Sequence, residues 1–144
     1  MLRGLSISLI LVIGALMIVR SADAIQSNEY GPELTSFLDL MRHEEDELDF
    51  QIKHNEISRP EYNRSKSRIA IQRLIVLNRF KESGVDYVPE IYVQTASEID
   101  QVIEDGSSLI KAIKAGDVIK EKWRYLGSVR RGETFYIFER LTVK

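Results

Sequence analysis

His43 and Glu47 stand four residues apart, a spacing that sets an imidazole and a carboxylate on one helix face, as metal ligands are set. No second histidine lies one turn away, and the chain has no cysteine. The run His43-Glu44-Glu45-Asp46-Glu47 departs from the His-Glu-x-x-His pattern of zinc proteases at its fifth position. It reads as the solvated acidic face of a helix. The acids between Glu44 and Asp49 also lack the spaced ligands and the glycine of a calcium loop. Ser107 and Ser108 follow Gly106, but Gly-x-Ser-x-Gly is absent, and helix capping accounts for both hydroxyls. Carboxylates are plentiful, yet no feature marks a pair of them as general acid and base. No catalytic, cofactor-binding or metal-binding residue is assigned, and no cofactor is expected.

Near the C-terminus Lys120, Lys122 and Arg124 alternate with Glu121, Trp123 and Tyr125, followed by Phe135, Tyr136, Ile137 and Phe138. Alternation along a strand places the aromatics on one face and the bases on the other. The plain reading packs the aromatics on the core. The sharper one is a basic-aromatic binding face, with Arg130 and Arg131 at a loop tip holding an anion: a lipid headgroup, a cell-wall glycan or an acidic protein. Nucleic acid is not an expected partner, because the chain carries an export signal. Asn63-Arg64-Ser65 matches a glycosylation acceptor but falls inside a helical pattern.

That signal has three parts. Arg3 gives a positive start, an apolar run follows from Gly4 to Val19, and Ala22 and Ala24 form a small-residue cleavage site. The run is shorter than the roughly 18–20 residues that span a bilayer comfortably. Cleavage after Ala24 is the first expectation and an uncleaved anchor at residues 4–19 the second. The exported chain would be periplasmic or extracellular. Without cysteine it has neither disulfides nor thiolate chemistry, so an apolar core must hold it.

The charge is layered in blocks. Residues 25–58 hold nine acids and two bases, and residues 59–82 hold seven bases and two acids. Residues 83–110 hold six acids and no base, and residues 111–144 nine bases and four acids. Blocks of opposite sign neutralise one another within a fold or present a patchy surface to a charged partner.

The elements that must position these side chains follow from apolar spacing and end signals. Leu34, Phe37, Leu38, Met41, Leu48 and Ile52 recur at helical spacing and predict a helix from Pro32 to Lys53. Ser58 with Glu61 is a capping box, Ile57 and Tyr62 form a staple, and Pro60 lies in the first turn. The second helix then runs to about Lys81 and closes at Gly84. A short link makes the two helices antiparallel neighbours, acidic beside basic. Val88–Gln94 reads as a strand. Thr95 and Glu98 suggest another capping box, opening a helix to Gly106, with a further turn to Gly116. Residues 118–126 and 134–143 read as strands joined by a loop from Gly127 to Gly132. The fold class is α+β: a signal at 1–24, a helical hairpin at 25–84, and a small α+β unit at 85–144 ending in a β-hairpin and sharing one core with it.

The stretch Asn55-Glu56-Ile57-Ser58-Arg59-Pro60-Glu61-Tyr62, with Lys66 and Ile69, resembles the SHOCT (short C-terminal) domain. That family shows a short helix, a Gly-x-Ile-Ser/Thr turn, then Glu-Phe/Tyr and a lysine inside a second helix. The resemblance covers Leu48 to Ile69 only and departs at Asn55, where the family prefers glycine. Asparagine also tolerates a left-handed turn. The resemblance implies an interaction or oligomerisation module without catalysis.

The preferred expectation is an exported, non-catalytic interaction or oligomerisation protein of the cell envelope. Ile71, Ile75 and Val76, beyond the residues facing the first helix, would form the contact stripe for a second copy or another envelope protein. An anionic envelope surface is a further candidate partner. Two alternatives differ in class. One is a small-ligand, anion-binding or enzymatic domain using Lys111, Lys114 or the C-terminal arginines in a cleft between hairpin and sheet. The other is a membrane-tethered structural protein of the envelope.

Overall fold

The structure, a computed structural model, describes residues 29–142. The expected signal or anchor lies outside them. Among the described residues no helix is long and apolar enough to cross a membrane.

Helix α1 spans Pro32–Lys53 and helix α2 spans Arg59–Ser83. The α1 N-cap is Gly31, which offers no side chain to its own helix. The Asp86 carboxylate supplies the cap instead, accepting from the amides of Glu33 at 3.0 Å and Leu34 at 2.9 Å. A Cβ at Gly31 would overlap that carboxylate, so the glycine is needed for the close approach. Such a cap is worth about 1 kcal/mol. The link between the helices turns at Asn55, whose φ of 58° is the left-handed conformation read for this position. Ser58 then makes the full capping box with Glu61: its hydroxyl accepts from the Glu61 amide, and the Glu61 carboxylate accepts from the Ser58 amide at 2.8 Å. The Ser58 bonds hold the Glu61 carboxyl below its ordinary value. Gly84, at φ 65°, ends α2 in the left-handed conformation.

Four antiparallel strands follow, β1 Ile91–Thr95, β2 Val118–Ile119, β3 Trp123–Arg131 and β4 Glu133–Arg140, in the spatial order β1-β4-β3-β2. Along β4, Phe135 and Ile137 face one way and Tyr136 and Phe138 the other. Both faces are covered. Leu34 of α1 and Ile71 and Val76 of α2 pack with Ile91, Val93, Phe135 and Ile137 on the first face. Ile99 and Ile103 pack with Ile119, Tyr125 and Phe138 on the second. The result is three layers: hairpin, sheet, and the segment between β1 and β2. Phe135 and Phe138 are fully buried, each contributing about 2–3 kcal/mol of burial. The hairpin and the sheet share one core.

Four expectations in the second half need correction. The helix expected from Thr95 to Gly106 is a 3₁₀ turn, Ile99–Gln101, and a short helix α3, Gly106–Leu109. Glu98 reaches back to the Thr95 amide at 3.0 Å, which is half of the expected box. Asp100, not Ser107 or Ser108, serves the α3 end, its carboxylate accepting from the Ser107 amide at 2.8 Å. The strand expected over residues 118–126 is broken into β2 and β3 by Lys120 and Glu121, at φ 48° and 58°. The expected loop from Gly127 to Gly132 is mostly strand. Gly127 sits at a bulge and only Gly132, at φ 78°, makes the turn.

The charge blocks neutralise one another in part, and not only across the hairpin. On α2, Arg73 pairs with Glu45 at 2.7 Å and Lys66 with Asp49 at 3.3 Å, both on α1. Arg64, Arg68 and Arg79 reach the sheet layer, meeting Glu133 at 2.6 Å, Glu98 at 2.7 Å and Glu139 at 3.3 Å. The basic helix is thus bonded on both sides.

Candidate partner-binding groove

The α1–α2 pairing leaves a groove of about 450 Å³ on the side of the hairpin next to β1. One wall comes from α1, with His43, Glu44, Glu47 and Gln51, and the other from α2, with Ser65, Arg68 and Gln72. Leu48 and Ile69 line it between them. Ile69 is buried and Leu48 is half-buried, so this part of the groove is apolar. The walls form because both helices put polar residues at helical spacing beside their apolar stripes.

Groove charge is decided by which groups are already committed. The Arg68 guanidinium donates from Nε to the Val93 carbonyl at 2.8 Å and from Nη2 to Glu98 at 2.7 Å. Glu47 accepts only from the neutral Gln51 amide, at 2.9 Å, and Glu44 has no ion pair among the described residues. Among the described residues, two exposed carboxylates therefore stand over apolar walls without an ion pair. Glu98 lies just behind Arg68. Burial by itself would raise its pKa, but the Thr95 amide and hydroxyl and Arg68 outweigh burial and hold the carboxyl below its ordinary value. His43 and Glu47 do share the rim, as their spacing predicts. Among the described residues no group of three or more histidine or acidic side chains converges.

The residues expected to bind elsewhere are placed differently. Ile71 and Val76 are 3% and 1% exposed, and Ile75 packs against the same core. The expected contact stripe is interior, because the part of α2 turned away from α1 is covered by the sheet. Arg130 and Arg131 are exposed, but they lie in the end of β3 opposite Thr134 and Glu133 and not in the loop expected to carry them. Neighbours on a strand point to opposite faces, so the two guanidinium groups diverge and do not close on one anion. Between hairpin and sheet lies the first core cluster. Lys111 and Lys114 lie on the segment covering the other face of the sheet.

Sequence reading passed over the second wall. Its signal was present in Ser65, Arg68 and Gln72, recurring at helical spacing within a basic helix. Asp86 had no comparable signal, since its role depends on a contact 52 residues away.

Compared with known proteins, the chain matches no family model, no curated protein and no solved structure.

Proposed function

We propose that this chain is an exported, non-catalytic interaction protein of the cell envelope, and that the hairpin groove receives a basic, amphipathic segment of another envelope protein. One observation carries the proposal: Glu44 and Glu47, without an ion pair among the described residues, stand beside Leu48 and Ile69 in a groove of about 450 Å³. That volume lies within the roughly 300–1,000 Å³ of ordinary ligand sites. Apolar walls give affinity, and the carboxylates select cationic side chains and steer their approach. The layout of Arg3, the apolar run and Ala22-Asp23-Ala24 supports export. The SHOCT resemblance of Leu48–Ile69 belongs to the same proposal, since both groove walls use residues of that hairpin.

The test is in-cell photocrosslinking of the full-length chain with a reactive residue at Gln51. A defined protein crosslink is expected, reduced at least about tenfold in Glu44→Lys/Glu47→Lys, which corresponds to losing roughly 1.4 kcal/mol of binding. The exposed Asp46→Lys, which does not line the groove, should keep it. A crosslink that survives the double reversal, or one formed from position 130 and not from position 51, would remove the groove from the account.

A further inference from the structure

We infer that the open part of the β3 edge, at Ser128 to Arg131, is a docking edge for an extended acidic segment of another protein. The observations are independent of the hairpin groove. The sheet ends in two outer strands, β1 and β2. Strand β2 is short and pairs only with Trp123 and Arg124, and Gly116 and Asp117 extend the cover to Tyr125. Beyond that point no strand lies beside β3 on this edge among the described residues, and Ser128, Val129, Arg130 and Arg131 are all exposed.

The register shows which backbone groups the edge offers. Gly116 donates to the Tyr125 carbonyl at 2.7 Å and Tyr125 to the Asp117 carbonyl at 2.9 Å, so Tyr125 turns away from β4. The Arg140 amide donates to Glu90 at 2.9 Å, so Arg140 and, by alternation, Phe138, Tyr136 and Thr134 turn towards β1. Glu139, Ile137, Phe135 and Glu133 then turn towards β3, where their partners are Arg124, Gly127, Val129 and Arg131. Ser128 and Arg130 lie between those partners and present N–H and C=O outwards. An added strand finds two donors and two acceptors there, the geometry of strand addition to a sheet edge.

Side chains select the occupant. Arg130 and Arg131 diverge, which is wrong for one anion and right for a strand, whose successive side chains diverge in the same way. Glu133, the acid opposite Arg131, is taken by Arg64 at 2.6 Å. Val129, 39% exposed, offers an apolar contact beside them. Two copies of this edge paired with one another would bring both arginines of each copy together, so charge disfavours a second copy as the occupant. An antiparallel segment with two adjacent acids and then an apolar residue meets Arg131, Arg130 and Val129 in turn, with opposite charges directly across the strand pair.

The probe is a capped synthetic peptide, Thr-Glu-Glu-Val-Thr-Val, compared with Thr-Gln-Gln-Val-Thr-Val. Each is added at millimolar concentration to the full chain, and amide hydrogen exchange is read by NMR. With the acidic peptide the Ser128 and Arg130 amides should slow several-fold, while the Val129 amide, already turned towards β4, stays unchanged. The glutamine peptide should protect them several-fold less. Arg130→Glu/Arg131→Glu should lose the acidic peptide and take Thr-Lys-Lys-Val-Thr-Val instead, a reversal that an unfolded variant does not give. Glu44→Lys/Glu47→Lys should leave the edge unchanged, so the groove and the edge fail separately. Absence of protection at 128 and 130, or equal protection by the acidic and glutamine peptides, overturns the inference. So does protection that rises with protein concentration before any peptide is added, which would make the edge a contact between two copies.

Discussion

Glu98 shows how one side chain can serve three parts of the fold. It follows β1, it accepts from the Thr95 amide at 3.0 Å and hydroxyl at 2.9 Å, and it receives Arg68 of α2 at 2.7 Å. Its carboxyl is held below the ordinary value of 4.5, against the opposing effect of burial. A carboxyl with a depressed folded value adds stability above its unfolded value, and that stability is lost as the pH falls through the folded value. The window therefore opens at about pH 4.5 and extends downwards. Glu98→Gln keeps the shape and one acceptor but loses the charge. It should cost roughly 1 kcal/mol at pH 7, a figure kept low because the side chain is 23% exposed. Urea midpoints of the two proteins should converge as the pH drops below that window. Parallel midpoint curves down to the acid transition would mean that Glu98 does not carry this part of the pH dependence.

Strand β1 is an outer strand of the sheet, and its outer edge is guarded. The Arg140 amide donates to the Glu90 carbonyl at 2.9 Å, so by alternation Ile91 and Val93 turn their carbonyls away from β4. Arg68 donates to Val93 at 2.8 Å and Gln72 to Ile91 at 3.2 Å, one turn apart on α2. A helix thus covers a sheet edge that would otherwise offer itself for pairing. Arg68→Met/Gln72→Leu should destabilise the fold by about 1–3 kcal/mol and produce concentration-dependent association on size exclusion. A monomeric variant with an unchanged urea midpoint would show the guard to be dispensable. Sequence reading reached the helices because their signals are local: Pro32, Ser58 with Glu61, Asn55 and Gly84 each act within one turn. The guard was out of reach, because its donors and acceptors lie 25 and 19 residues apart and depend on the hairpin's seat on the sheet. The segment after Thr95 misled for a related reason. Its cap residues are real, but Ile99 and Ile103 are drawn into the second core cluster, Asp105 takes φ 58°, and Gly106 lies against Ile99. Burial there overrides helix propagation. The groove was half legible: His43 and Glu47 share a face by spacing, while the opposing wall needs the register of α1 against α2.

At the scale of the molecule, the sheet joins two cores that do not touch the same face. Glu47 lies about 22 Å along α1 from Pro32, at roughly 1.5 Å per residue, so the groove stands well away from the start of the helix. Binding at the groove reaches the far face of the sheet only if the three layers behave as one body. Ile71 tests that directly. It is 3% exposed in the first cluster, whereas Trp123, the chain's single tryptophan, packs with the second cluster across the sheet. On the contact-stripe reading, Ile71→Asp would weaken association and leave the sheet folded. With Ile71 buried between hairpin and sheet, an unpaired carboxylate there should cost about 4 kcal/mol or more. Total stabilities of such domains are only about 5–15 kcal/mol. Because Phe135 and Ile137 of the first core alternate along β4 with Tyr136 and Phe138 of the second, the loss should not stop at the hairpin. Helical circular dichroism and Trp123 fluorescence should change together, at one lowered urea midpoint, as a single cooperative unit requires. If the helices were lost while Trp123 kept its native emission, the hairpin would be a separable lid on an independent sheet, and the groove would have no rigid path to the far face of that sheet.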